Sequence, residues 1–170
     1  MGFEVNIAGH AAGSPASYYG KENFGNKPDG KSPLAAVPGL EKYHGTDTFL
    51  SEALTLEAEK ALNNAQKSDK PFFLYMAHYA VHTPIQPDLR FYQKYIDKGL
   101  PPVEAAYATL IEGMDKSLGD LMDYLKKNNL EDNTVILFMS DNGGLAAHTR
   151  AGQLHVQNYP LNSGKGSAYE

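Results

Sequence analysis

The 170-residue sequence contains no cysteine. That single absence removes disulfides, thiolate zinc sites and cysteine nucleophiles from consideration, while leaving the cellular compartment open. A basic surface is lacking too: 15 Lys+Arg stand against 20 Asp+Glu, a formal net charge of −5, which excludes the electrostatic footprint of a nucleic-acid binder. The longest strongly apolar stretches, Phe72 to Ala77 and Val135 to Met139, fall far short of the roughly 20 residues that span a bilayer, so no membrane span is expected. No internal repeat or low-complexity tract occurs. The opening Met1-Gly2-Phe3-Glu4-Val5-Asn6 shows no basic region followed by an apolar run, and Asn6 stands where a myristoylation signal needs Ser or Thr. With 42% hydrophobic and 21% charged residues, the composition is that of an ordinary globular chain able to bury one core of moderate size.

Residues 1–45 are rich in Gly, Pro, Asn and Tyr, as in Gly13-Ser14-Pro15 and Asn26-Lys27-Pro28-Asp29-Gly30, and carry neither a period of 2 nor one of 3.6. A loop region this long is either functional or short of a packing partner. From Thr46 onward Phe49, Leu50, Ala53, Leu54, Ala58, Ala61 and Leu62 recur at helical spacing, predicting a helix to about Gln66 with Thr46 or Asp47 as its N-cap. Lys70-Pro71 then introduces Phe72-Phe73-Leu74-Tyr75-Met76, which suits a strand buried on both faces. After a proline-rich connection, apolar residues from Val103 to Leu125 predict a helix of about six turns that Asn128 and Asn129 can terminate. Thr134 to Met139 is a second candidate buried strand. Helices alternating with continuously apolar strands indicate α/β layers around a mainly parallel sheet. Two strands cannot complete such a sheet, and we read the chain as a fragment.

In parallel sheets ligands gather beyond the carboxyl ends of strands, which directs attention to His78–Pro84 and Asp141–Gly144. Asp141 and Asn142 offer a carboxylate and an amide oxygen, hard donors suited to calcium or magnesium, followed by glycines that let backbone approach a ligand. The competing reading is a plain Asn-Gly turn, although Leu145 to Arg150 lacks the alternation of a returning strand. His78 and His82 are four apart, yet the segment follows a strand and no Glu follows His78, which disfavours zinc. The place of His82 just past a strand is what makes it a candidate acid or base. Gly164-Lys165-Gly166 is not a phosphate loop, because Tyr159 and Gly166 break the required pattern, but a lysine between glycines can still present its charge to an oxyanion.

Pro71-Phe72-Phe73-Leu74-Tyr75-Met76, His82-Thr83-Pro84, Ser140-Asp141-Asn142-Gly143-Gly144 and Gly164-Lys165-Gly166-Ser167-Ala168-Tyr169-Glu170 resemble, in order and spacing, successive motifs of the formylglycine-dependent sulfatases. The opening Gly2 to His10 is similar to the stretch that follows that family's central lysine and histidine motif. The resemblance implies a middle portion of an alkaline-phosphatase-like α/β catalytic domain, divided here into a loop-rich segment 1–45, an α/β core portion 46–144 and an active-site loop segment 145–170. It implies sulfate ester hydrolysis, on aryl or carbohydrate sulfates, at a Ca²⁺ site, with Mg²⁺ the second choice. Asp141 and Asn142 would be calcium ligands, Lys165 would contact the sulfate, and His82 would lie beside the sulfate and the leaving-group oxygen.

Two of the family's features have no counterpart in this sequence. No Ser fits a motif with Pro two residues on and Arg two further, Ser14-Pro15-Ala16-Ser17 included, and paired N-terminal aspartates are missing as well. The formylglycine nucleophile and the remaining calcium ligands are therefore expected outside the chain, whose 170 residues alone should be inactive. Export to the periplasm or beyond is common in the family, and any signal peptide would precede Met1. Alternatives are a phosphodiesterase or phosphonate hydrolase of the same superfamily, and a noncatalytic protein binding anionic glycans through its Tyr-rich loops, against which the net charge of −5 argues.

Overall fold

The computed structural model describes residues 2–68, 70–144, 149–150, 153–154, 160 and 164–165. The chain divides into two compact units, Met1–Asp132 and Asn133–Glu170.

The first unit is built on three helices. Helix α1 spans Leu50–Ala65, α2 Leu89–Asp97 and α3 Pro102–Lys127. Helix α1 buries Leu50, Ala53, Leu54, Ala58 and Leu62, the stripe that a 3.6 period dictates. Its start differs from expectation. Phe49 occupies the N-cap position without a side-chain cap, and the Leu50 N–H donates to the Tyr18 carbonyl at 2.9 Å. The backbone of a distant segment thus satisfies a helix-start donor, while Thr46 donates its hydroxyl to the Tyr43 carbonyl and Asp47 faces solvent. Helix α3 opens with Pro102, whose missing N–H costs nothing there. It closes through Asn129, which has φ +56°, with Leu130 N–H donating to Leu125 O and Asn129 N–H to Lys126 O. That is the Schellman arrangement with asparagine in the left-handed position, and Lys126 and Lys127 complement the helix dipole beside it.

Helix α2 lies within the stretch expected as a proline-rich connection. Buried Asp88 caps it, accepting from the Arg90 N–H at 3.1 Å, and the Arg90 guanidinium forks onto the same carboxylate while also pairing with Glu52 at 2.9 Å. A buried carboxylate with this many charge-assisted donors ties α2 to α1 rather than standing as an uncompensated charge.

The irregular segment before α1 supplies much of the core. Tyr18, Phe24, Val37 and Leu40 are fully buried, in one cluster with Phe49, Leu50, Ala53, Leu54 and Leu110. Three-ten turns at Gly20–Gly25 and Glu41–Tyr43 fold this stretch. A second cluster joins Ala58 and Leu62 of α1 to Leu121 of α3, and Phe72, Leu74, Met76 and Tyr124 pack against it.

The expected parallel sheet is not formed among the described residues. Phe72–Met76 carries no hydrogen-bonded ladder, and its exposure alternates: Phe72, Leu74 and Met76 turn inward while Phe73 and Tyr75 are 78% and 71% exposed. In this chain the segment is therefore buried on one face, because the helices cover only one side and a strand needs neighbours to take its N–H and C=O groups. In the second unit Thr134–Met139 also carries no ladder, and Val135, Leu137, Phe138 and Met139 are exposed. Among the described residues the strand pairing is a short antiparallel ladder, β1 (Thr149–Arg150) with β2 (Gln153–Leu154), besides an isolated bridge between Tyr19 and Phe49. Among the described residues no helix is long and apolar enough to cross a membrane.

Candidate functional site

His82 follows Tyr79 in a tight turn, its N–H donating to the Tyr79 carbonyl at 2.9 Å. Its ring is exposed, with Nδ1 lying 3.2 Å from both the carbonyl and the hydroxyl oxygen of Thr83. The preceding segment is not helical, so four-residue spacing does not aim His78 and His82 at one metal ion. Instead the two rings sit in opposite environments. His78 Nδ1 is sealed from solvent with no hydrogen-bond partner among the described residues, and burial pulls its imidazole down to about 4.

The turn bearing His82 is held from the other side by residues 17–22. The buried Tyr18 hydroxyl lies 2.8 Å from the carbonyl oxygens of both Tyr79 and His82, and its ring stacks on Phe49 with centroids 5.4 Å apart. Burial raises the Tyr18 phenol, which stays a donor at any working pH. Tyr18 N–H donates to Gln86 Oε1 at 2.7 Å, Gln86 Nε2 donates to Glu22 at 3.2 Å, and the Tyr19 hydroxyl donates to the Pro87 carbonyl at 2.6 Å. Sequence reasoning missed Tyr18 and Gln86. Partners more than 60 residues apart leave no local period to read.

Nearby in the same unit, Tyr79 donates its hydroxyl to the Ala8 carbonyl at 2.6 Å and meets the His10 ring edge-on. His10 accepts from the Ala12 N–H at Nδ1, which leaves Nε2 as the protonated nitrogen facing the Ala36 carbonyl at 3.0 Å.

Asp141, Asn142 and Lys165 lie in the second unit. Residues 141 and 142 form a bend, and residues 145–148, through which an Asn-Gly hairpin would return, lie outside the described residues. The Asp141 carboxylate is exposed and has no partner among the described residues, while Asn142 uses its amide nitrogen on the Gly143 carbonyl at 2.8 Å. That orientation leaves the amide oxygen as the donor Asn142 can offer to a cation. The glycines then meet the lysine loop. A Cβ at position 143 would stand 3.0 Å from the Gly164 Cα, and the Lys165 N–H donates to the Gly144 carbonyl at 2.9 Å. Backbone cannot yield as a side chain can, so glycine at 143 is what lets the two loops touch.

Two adjacent hard oxygen donors suit Ca²⁺, which takes six to eight such ligands, but they make only part of a site. Among the described residues no three His, Cys, Asp or Glu side chains come together to hold a metal ion. Thus the structure joins the backbones of the acidic and lysine loops in one unit, whereas His82 belongs to the other.

A family model described as Sulfatase matches residues 2–170. The chain is 34% identical over 137 residues to a protein named Sulfatase from Formosa agariphila, covering 74% of this chain and 24% of that protein. It is also 34% identical over 145 residues to an uncharacterized sulfatase, YdeN, of Escherichia coli, covering 85% of this chain and 23% of that one. The chain thus spans about a quarter of the length of these curated relatives. Among solved structures, Ps i-CgsB in complex with k-i-k-neocarrahexaose superposes with a TM-score of 0.69 at 29% identity, over 91% of this chain and 34% of that one.

Proposed function

Since the chain belongs to the sulfatase family, we propose that it is part of a longer catalytic domain that hydrolyses sulfate esters of saccharides. The observation that carries this reading is the meeting of the Asp141–Gly144 loop with Gly164–Lys165, which gathers hard oxygen donors and a lysine within one unit. Support for a saccharide substrate comes from similarity to Ps i-CgsB, solved with k-i-k-neocarrahexaose, and to an N-acetylgalactosamine-6-O-sulfatase of Bacteroides thetaiotaomicron, 33% identical over 97 residues.

In this reading Asp141 and the Asn142 amide oxygen would hold Ca²⁺ together with ligands from other segments of the domain. The cation, when bound, would supply Lewis-acid polarisation of the sulfate and offset the charge that grows on its oxygens. Lys165 adds a positive charge to the same oxygens, worth most where water is excluded. His82 serves the departing oxygen: as the S–O bond breaks, the alcohol leaves neutral only if a proton reaches it, and an exposed imidazole in a fixed turn can supply one. The nucleophile, a formylglycine made from Cys or Ser, is supplied from outside these residues.

The test uses the full-length protein and matched aryl sulfate and aryl phosphate esters. Sulfate turnover should exceed phosphate turnover, and Lys165→Ala should lower kcat/KM on the sulfate by roughly 10²- to 10³-fold, the loss typical of an oxyanion donor. Unchanged turnover in Lys165→Ala removes that residue from the site. Faster phosphate hydrolysis would make the protein a phosphoesterase of the same superfamily.

A further inference from the structure

We infer that Tyr18 is a positioning residue for His82, a role that rests on the reading of His82 as the group serving the departing oxygen. The residues that deliver a proton must be held to within a fraction of an ångström of the reacting atom, and an exposed ring on a turn has little packing of its own to hold it. Tyr18 supplies what the ring lacks. Its hydroxyl sits between the Tyr79 and His82 carbonyl oxygens, 2.8 Å from each, so one buried donor spans the turn from its first residue to its last. The phenol is itself immobile: the ring is fully buried and stacked on Phe49, the residue that precedes α1, and the Leu50 N–H is bonded to the Tyr18 carbonyl. The turn is thereby referenced to the start of a 16-residue helix rather than to solvent.

The far end of the same loop is held by the same segment. Gln86 Oε1 receives the Tyr18 N–H at 2.7 Å, and the Pro87 carbonyl receives the Tyr19 hydroxyl at 2.6 Å. His82 therefore lies in a loop tied at Tyr79, His82, Gln86 and Pro87 to residues 18 and 19. Removing the Tyr18 hydroxyl leaves the ring in place but takes from the His82 carbonyl the donor that fixes it, while the Tyr79 carbonyl keeps only the His82 N–H of the turn itself, and the turn becomes free to shift against residues 18 and 19.

A double-mutant cycle in the full-length protein tests this, with Tyr18→Phe, His82→Ala and their combination, on aryl sulfates whose phenols differ in acidity. Tyr18→Phe should lower kcat by roughly 10- to 100-fold, with KM changed less than about twofold and the largest losses on the least acidic phenols. In the His82→Ala background the same substitution should change kcat by less than about twofold, because the ring it positions is gone. Equal losses in both backgrounds, as a merely structural role would give, overturn the inference, and so does an unchanged kcat in Tyr18→Phe. A His82→Ala variant as active as the parent overturns the reading of His82 itself and this inference with it; a His82→Ala loss combined with additive Tyr18→Phe losses overturns this inference alone. Should Tyr18→Phe fail to fold, Gln86→Met runs the same cycle from the other end of the loop, with the same outcomes deciding.

Discussion

Burial without a partner makes His78 a titrating liability. Its Nδ1 is sealed from solvent, no described group bonds it, and burial pulls the imidazole from an ordinary 6.5 down to about 4. In the unfolded chain the ring takes up its proton near the ordinary value; in the folded chain it does not until about pH 4. Between those two values the unfolded state binds more protons, so stability present at neutral pH is lost as pH falls from about 6.5 to about 4. The loss is on the order of a few kcal/mol at the acid end. Replacing the ring by an apolar one of similar size, His78→Phe, should flatten the urea midpoint across that window while leaving the neutral-pH midpoint within about 1 kcal/mol of the parent. A pH profile with the same slope in both proteins would assign the acid lability elsewhere.

At the scale of elements, what could be read ahead depended on whether the signal was local. Helices α1 and α3 follow from apolar residues at a 3.6 spacing, and the Asn128-Asn129 stop of α3 was visible because left-handed backbone favours few residues. Helix α2 is harder to read because it is short: Phe91, Tyr92, Tyr95 and Ile96 do form a partly buried stripe, but nine residues between Pro87 and Pro101 carry the period for little more than two turns. The core contribution of Tyr18, Phe24, Val37 and Leu40 had no period at all, since irregular backbone places each side chain individually. Among site residues, contiguous motifs at Asp141–Gly144 and Gly164–Lys165 could be singled out from sequence, whereas their backbone contact and the Tyr18–His82 bond are products of tertiary folding. The α3 stop also carries a prediction. Asn129 holds φ +56°, where a Cβ-bearing residue without a local hydrogen-bonding side chain is strained by about 1 kcal/mol. Asn129→Ala should therefore lower stability by about 1 kcal/mol and Asn129→Gly should match or slightly raise it, as read from denaturant midpoints at constant slope.

At the scale of the whole molecule, half of the exposed large apolar side chains among the described residues fall on the two segments expected as strands, while the others, such as Leu34, Leu89 and Met122, are scattered. In the first unit Phe73 and Tyr75 point outward beside Phe3, whose ring lies 5.9 Å from that of Phe73, while Phe72, Leu74 and Met76 pack on the helices. In the second unit Val135, Leu137, Phe138 and Met139 are exposed. A patch of exposed aromatics on a segment with unpaired backbone is a surface that other chains can add to. The 170-residue chain, handled alone, should associate as its concentration rises, visible as light scattering. Phe73→Lys should suppress that association and leave the unfolding midpoint within about 0.5 kcal/mol, because it changes a solvent-facing position. Leu74→Lys, one residue on and packed against the cluster of Ala58, Leu62 and Leu121, should destabilise by about 1–3 kcal/mol, because the half-buried position loses its apolar contact and partly desolvates a charge. The same pair in the longer protein decides whether Phe72–Met76 is a strand buried on both faces. If other segments cover the Phe73 side, Phe73→Lys there becomes costly by about 2 kcal/mol or more and the asymmetry between neighbouring positions disappears. If Phe73→Lys remains harmless there, this face stays in water and the segment forms no interior strand of a sheet.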